Sequence, residues 1–266
     1  MKRDLDQICV DTIRFLAVDM VQKANSGHPG LPLDAAPMAY AIRLAALAKL
    51  PSIFVFTHDS IGLGEDGPSH QPVEQIAALR AIPDLLVIRP CDANETRWAW
   101  QVALDQRTRP TALILTRQHV PTLDRSVYAP AELLRRGAYV LDLAEDATPD
   151  VILIATGSEV GLVVAAAPIL RAAGVRARLV SMACWRLFEE QPADYRESVL
   201  PSSVPRLAIE AASPLGWERW TGSEGTIIGI DRFGASAPGD IVLHELGFTV
   251  DAVVERALAL VREQEK

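Results

Sequence analysis

The sequence is short of cysteine, of basic charge and of long apolar runs, and each shortage removes a class of protein. Its three cysteines, Cys9, Cys91 and Cys184, stand far apart and match no metal-ligand spacing such as C-x-x-C. Neither a disulfide framework nor a zinc ribbon is expected, and a reducing setting is the simple reading. The 26 Lys and Arg are outnumbered by 34 Asp and Glu, a formal net charge of −8. A polyphosphate duplex needs a basic footprint, so no nucleic-acid partner is expected. A few Arg and His could still form a local pocket for a small anion. No apolar stretch approaches the roughly 20 residues of a membrane span. The opening residues, MKRDLDQICVDTIRF, interleave acids with apolar positions and lack a signal-peptide core. A cytoplasmic protein without membrane contact is therefore expected. What is present is ordinary: 266 residues, 49% hydrophobic and 23% charged, enough for one large or two medium domains with a core that needs no staples.

Hydrophobic spacing predicts an amphipathic helix over 4–25, ended by Asn25-Ser26-Gly27-His28-Pro29-Gly30, and a second helix after Pro37. A short apolar run, 52–57, reads as a buried strand. Strands at 85–89 and 111–116 alternate with helices at 73–80 and 93–104. Asp92 and Glu95 are placed to cap the last of these. Residues 117–136 hold Pro121 and Pro130 and no clear period, and read as a linker. A second alternating run follows, with strands at 151–155, 177–182, 207–210 and 226–230. Its helices are expected at 159–173, 187–199 and 251–262. Two α/β units with mostly parallel sheets flanked by helices are the expected architecture.

The densest polar constellation is Thr57-His-Asp-Ser-Ile-Gly-Leu-Gly-Glu-Asp-Gly-Pro-Ser-His-Gln-Pro72, directly after the first strand. Ligands of open α/β sheets gather beyond the carboxyl ends of strands. Gly62, Gly64 and Gly67 allow close backbone approach. His58 and His70, with Asp59, Glu65 and Asp66, supply proton-transfer and hydroxyl-binding groups. A polar surface loop would look the same. Arg117, in Thr116-Arg-Gln-His119 at another strand end, could hold a phosphate or carboxylate through its planar fork or merely form a surface ion pair. His28 is held between Gly27 and Pro29, as in any helix-ending turn. Asp231-Arg-Phe-Gly-Ala-Ser-Ala237 could cradle an anion or be a tight turn. The tryptophans at 98, 100, 185, 217 and 220 read as packing or interface groups rather than a base-stacking platform.

Three stretches together resemble transketolase: SGHPGLPLDAAPMAY; the run IRLAALAKLPSIFVFTHDSIGLGEDGPSHQPVEQ through PCDANET; and the set PDVILIATGSEV, VSMACWRLFE, LGWER and DRFGASAPG. The resemblance implies a remnant of the diphosphate-binding domain over 1–40 and the second half of the pyrimidine-binding domain over 41–120. It further implies a linker over 121–136 and a complete C-terminal domain over 137–266. It implies transfer of a two-carbon ketol unit between sugar phosphates with thiamine diphosphate and Mg²⁺ or Ca²⁺. By motif, His28 and His70 are the catalytic matches, and His70 also lies close to the cofactor. His28, His58, Asp66, His70 and Arg117 match substrate-binding residues, His58 and Arg117 at the acceptor phosphate and Asp66 at a sugar hydroxyl. Asp34 departs from the family's usual Gly, and Ala183-Cys184 from its Pro-Ser.

Family members are more than twice as long, and between Tyr40 and Ala41 the sequence jumps across domains. The family's metal-holding GDG…N segment and its activating glutamate fall in the gap, so no metal ligand is assigned. The expectation is a weak ketol transferase, working as a homodimer on sugar-phosphate or small ketol substrates. The alternatives are a non-catalytic assembly module and one chain of a split transketolase, whose companion chain carries the diphosphate-binding domain.

Overall fold

The computed structural model describes residues 40–142 and 148–264, with positions 8, 10–12, 14, 15 and 23 before them. His28, Asp34 and most of the helix expected over 4–25 lie outside the described residues.

Two sheets organise the chain. The first is three-stranded and parallel, in the order β1 (Ile53–Phe56), β3 (Thr111–Ile114), β2 (Leu86–Ile88). Both β2 and β3 are buried along their whole length. That is why they read as continuous apolar runs without alternation. The second sheet has five strands, ordered β4 (Tyr139–Val140), β6 (Ala177–Ser181), β5 (Val151–Ala155), β7 (Arg206–Ile209), β8 (Thr226–Ile228). Its pairings are parallel except for β4 with β6. The central strand β5, Val-Ile-Leu-Ile-Ala, is fully buried. The mixed α/β architecture with predominantly parallel sheets matches the expectation.

Helices α1 (Gln75–Arg80) and α2 (Ala93–Asp105) serve the first sheet. On α2 the buried positions Glu95, Ala99, Val102 and Ala103 form one stripe, the spacing of a helix with a single packed face. On the second sheet, α3 (Val160–Ala172) buries Val160, Val163, Ala166 and Leu170. The short helices α4 (Trp185–Glu189), α5 (Ala193–Val199), α6 (Glu218–Thr221) and α7 (Gly239–Glu245) precede α8 (Val250–Gln264), which packs on α3. One apolar cluster runs through both sheets, joining Leu86, Ile88 and Leu113 to Leu134, Leu153 and Leu207. Each such side chain contributes about 1.5–3 kcal/mol on burial, so the two sheets stabilise one another.

Three local expectations differ from the structure. The helix expected over 187–199 is two helices, broken at Pro192, which has no N–H to continue the ladder. The stretch read as a linker is packed, with a 3-10 helix at Ala131–Arg136 and Leu134 fully buried. Glu95 reaches back to the backbone N–H of Cys91 at 2.9 Å, one residue earlier than a capping box would place it. Of the tryptophans, Trp185 meets Trp217 edge-on at 5.0 Å and Trp220 at 6.1 Å, and Trp98 packs against the core, whereas Trp100 is exposed.

Asp92 is the cap of α2 and more. Its Oδ1 accepts from the Glu95 N–H at 2.7 Å, and its Oδ2 accepts from Leu123 N and the Arg125 guanidinium, each at 3.0 Å. Asp92→Ala should therefore cost about 2 kcal/mol, at the upper end for a lost cap, because a buried N–H is orphaned as well. A urea midpoint shift equivalent to less than about 0.5 kcal/mol would remove this role.

Candidate functional site

Strands β1 and β3 are parallel neighbours in the register Phe56↔Ile114, so their carboxyl ends open side by side. The bond from Leu115 N–H to the Phe56 carbonyl, 2.7 Å, continues the pairing one step beyond. The next residues on either strand are Thr57-His58 and Thr116-Arg117. Topology thus brings His58 and Arg117 to one sheet end although they are far apart in sequence. Both side chains are exposed.

The chain turns sharply after β1, with His58 at φ 65°. For a residue with a Cβ this left-handed conformation costs roughly 1–2 kcal/mol. Thr57 Oγ1 lies 2.8 Å from His58 Nδ1. The turn sends His58 outward and Asp59 inward, where Asp59 is 3% exposed. Ser60 then caps a 3-10 turn, Ile61–Leu63, by accepting from Gly62 N–H at 3.2 Å. Gly64 and Gly67, at φ 89° and 76°, close the next turn, which carries Glu65 and Asp66 outward. His70 follows, its backbone N–H bonded to the Gly67 carbonyl at 3.0 Å and its Nδ1 2.9 Å from Ser69 Oγ.

His58, Asp66 and His70 therefore share one loop, and Arg117 rises from the adjacent strand end. The loop rests on that strand end, since a Cβ on Gly62 would lie 2.7 Å from Gln118 Nε2. These four residues face solvent on an open surface.

Asp59 plays a different part from the proton-transfer or hydroxyl-binding group expected of it. Arg89, at the end of β2, is fully buried and donates through Nε to Asp59 Oδ2 at 2.8 Å. The same guanidinium pairs with Glu159, which also accepts from Ala211 N–H at 3.0 Å and Ser158 Oγ at 2.6 Å. Glu210, fully buried, takes a two-pronged bond from Arg80 at 2.6 and 2.8 Å and the Trp217 indole N–H at 2.7 Å. Arg89 lies 3.6 Å from it. Asp59, Arg80 and Arg89 belong to the first sheet's unit, Glu159 and Glu210 to the second. Five ionisable groups thus lock the loop's root across the junction.

Burial pushes the Glu159 carboxyl above its usual range despite the pull of Arg89. Burial acts the same way on Glu210, but Arg80, its hydrogen bonds and Arg89 outweigh it and hold that carboxyl below the usual range. For Arg89 the desolvation is overcome by Glu159, Asp59 and Glu210, so its proton is held more tightly than usual. Sequence reading missed Arg80, Arg89, Glu159 and Glu210. The only available signal was a charged residue at the carboxyl end of an otherwise apolar strand, as at Arg89 and Glu210.

The resemblance also calls for a diphosphate held through a divalent cation. Among the described residues no group of three or more His, Cys, Asp or Glu could hold a metal ion. Glu65 and Asp66 are exposed on a turn and do not form such a set. The described residues therefore do not fit the cation end of the cofactor. Also among them, no helix is long and apolar enough to cross a membrane.

Three domain models match the chain: the transketolase thiamine diphosphate binding domain over 5–57, the transketolase pyrimidine binding domain over 36–122, and the transketolase-like C-terminal domain over 137–249. The chain is similar to the transketolase of Geobacillus stearothermophilus, 56% identical over 221 residues, covering 83% of this chain and 33% of that protein. It is similar to that of Halalkalibacterium halodurans, 54% identical over 260 residues, covering 95% of this chain and 39% of the relative. It thus spans little more than a third of the curated relatives it matches. Among solved structures, a transketolase from Pichia stipitis superposes with a TM-score of 0.80 at 40% identity, over 88% of this chain and 33% of that one. A split-gene transketolase, described as an inactive β4 tetramer, shares the fold at 24% identity and a TM-score of 0.68, over 86% of this chain and 73% of its own.

Proposed function

The chain belongs to the transketolase family, and from that premise we propose that it binds sugar phosphates for the thiamine-diphosphate-dependent transfer of a two-carbon ketol unit. The observation that carries this reading is the convergence of His58 and Arg117 at adjacent strand ends, beside the loop that bears Asp66 and His70. Arg117 grips the acceptor phosphate through its planar fork, and His58 adds a second donor to the same group. Asp66 accepts a hydrogen bond from a sugar hydroxyl. His70 stands where the ketol fragment passes and moves a proton there, and His28 serves the donor sugar. Of these residues His28 falls in the remnant over 1–40 and the others in the unit over 41–120, with 121–136 between that unit and the C-terminal one over 137–266.

The described residues do not supply the cofactor's cation end. A companion chain carrying the diphosphate-binding domain would supply it, whereas a homodimer with sites between subunits, the other arrangement the resemblance implies, would join two copies of the same described residues. The companion arrangement is the one suggested by the fold this chain shares with a split-gene member. Alone, this cytoplasmic chain turns over weakly or acts as an assembly module.

Calorimetric titration with ribose 5-phosphate tests the sugar-phosphate reading. Arg117→Ala should weaken binding about 10–100-fold, the worth of a lost charge-assisted pair, and weaken ribose itself by much less. Equal losses for both would refute the role of Arg117. Titration with thiamine diphosphate and Mg²⁺, followed by an assay of ketol transfer from hydroxypyruvate, tests the rest. If turnover occurs, His70→Ala should lower it by about 10²–10⁴; an unchanged rate would remove His70 from the chemistry.

A further inference from the structure

The segment 231–239, which follows β8 and leads into α7, belongs to the second sheet's unit, yet it lies against the loop 57–72. Gln71 is the link. It is 4% exposed, and its Nε2 donates to two carbonyls, those of Gly64 and Ala235, each at 2.9 Å. One amide group thus ties the loop to itself and to the other unit.

Glycines on both sides make the approach close enough. A Cβ on Gly64 would lie 2.8 Å from Gly239 N and 3.3 Å from the Ala237 carbonyl oxygen. On Gly67 it would run into Ser236 Oγ, on Gly234 into Gln71 Oε1, and on Gly239 into the Gly62 carbonyl. Four glycines from two distant stretches interleave, and two of them, Gly64 and Gly67, also need their positive φ. A tight strand-to-helix turn alone would need none of these contacts across the junction.

We infer that residues 231–239 form a strap that positions the 57–72 loop, with Gln71 and Gly234 as positioning residues. The second unit thereby shapes the sugar-binding surface without touching the substrate. Asp59 and Arg89 hold the root of the loop, and the strap holds its far half, where Asp66 and His70 sit. The sugar-binding part of this inference rests on the function proposed above, whereas the positioning part does not.

Site-resolved hydrogen exchange on Gln71→Met, Gln71→Glu and Gly234→Ala tests it. Gln71→Glu keeps the shape without the N–H donors. Each variant should speed exchange of the Gly64, Gly67 and His70 amides about tenfold or more, as expected for two lost hydrogen bonds. Amides of β5 should stay within about twofold by the same measure. Gly161→Ala, whose Cβ meets nothing within 4 Å, should leave the loop unchanged. Unaltered loop exchange, or equal acceleration in β5, would overturn the strap. Ribose 5-phosphate and inorganic phosphate provide the second readout. Sugar-phosphate affinity should fall about tenfold in the Gln71 variants while inorganic phosphate binds as before. Loop loosening with unchanged sugar-phosphate affinity would overturn the strap's part in binding. If the parent protein binds neither probe, the sugar-phosphate reading fails, and exchange alone decides the strap.

Discussion

Arg89→Met should destabilise the protein by about 3–5 kcal/mol, the cost of removing one partner from a buried ion pair. Met has a similar length and fills the space, so the loss reports charge more than cavity. Without Arg89, Asp59 loses the guanidinium that donates to it, and Glu159 keeps Ser158 and the Ala211 N–H. Arg80 remains bonded to Glu210. Asp59 and Glu159 then lose their guanidinium partner in a region where Asp59, Glu159 and Glu210 are each at most 3% exposed. Arg89→Lys keeps a charge but presents it as a point, and cannot span Asp59 and Glu159 together. It should fall between parent and Met variant. Urea unfolding measures all three. A loss below about 1 kcal/mol for Arg89→Met would mean that the network holds nothing together. Because the same network roots the loop, the Met variant should also expose the His58 turn to proteolysis before the core opens.

Sequence reading placed the strands well where a strand is buried on both faces. Residues 151–155 were expected as a strand and are β5, since Val, Ile and Leu in a short unbroken run have no other stable arrangement between two neighbours. Helices with one packed stripe, such as α2, were equally legible. Short elements were not. The two residues of β4 carry no period, and their pairing with β6 is decided by Tyr139, whose hydroxyl reaches Glu95 at 2.7 Å on the other unit. The packing of the linker over 117–136 was not legible for a related reason. Its order comes from Asp92 and Arg125, a contact that local pattern cannot show.

The site divides in the same way. Polar density after a strand marked the loop, and the end of β3 marked Arg117, because both signals are local. Asp59 looked no different from Asp66. What separates them is Arg89, 30 residues away, and the acids Arg89 meets in the second unit, Glu159 being 70 residues beyond it. Gln71 carried no signal at all, since its second acceptor is 164 residues distant. The groups proposed to meet a ligand lie in local motifs, and the groups that hold those motifs in place are supplied by tertiary contact.

Glu159→Gln should leave the protein as stable as the parent or more stable at pH 7, whereas Glu159→Ala should cost about 2–3 kcal/mol. The network holds Asp59, Glu159 and Glu210 against Arg80 and Arg89, one acid in excess. Gln removes that excess and can still accept from Arg89 and Ala211 through its oxygen. Ala strands both donors and leaves a void, each a recognised source of loss. The pH dependence separates charge from packing. Burial raises the Glu159 value above the ordinary 4.5, so its protonated form favours the fold. That contribution is full below the ordinary value and is lost as pH rises through the raised one. Glu210 runs oppositely: Arg80 and Arg89 depress its value against the effect of burial, so its contribution is present above the ordinary value and disappears as pH falls through the depressed one. The advantage of Glu159→Gln over the parent should therefore grow as pH rises from 4.5 through the raised value, then level off. Below that window the two proteins should converge, and further acidification should destabilise both through Glu210. Urea midpoints at pH 4, 5.5 and 7 measure this; a stability difference that is constant with pH would show that Glu159 is not the group carrying the excess charge.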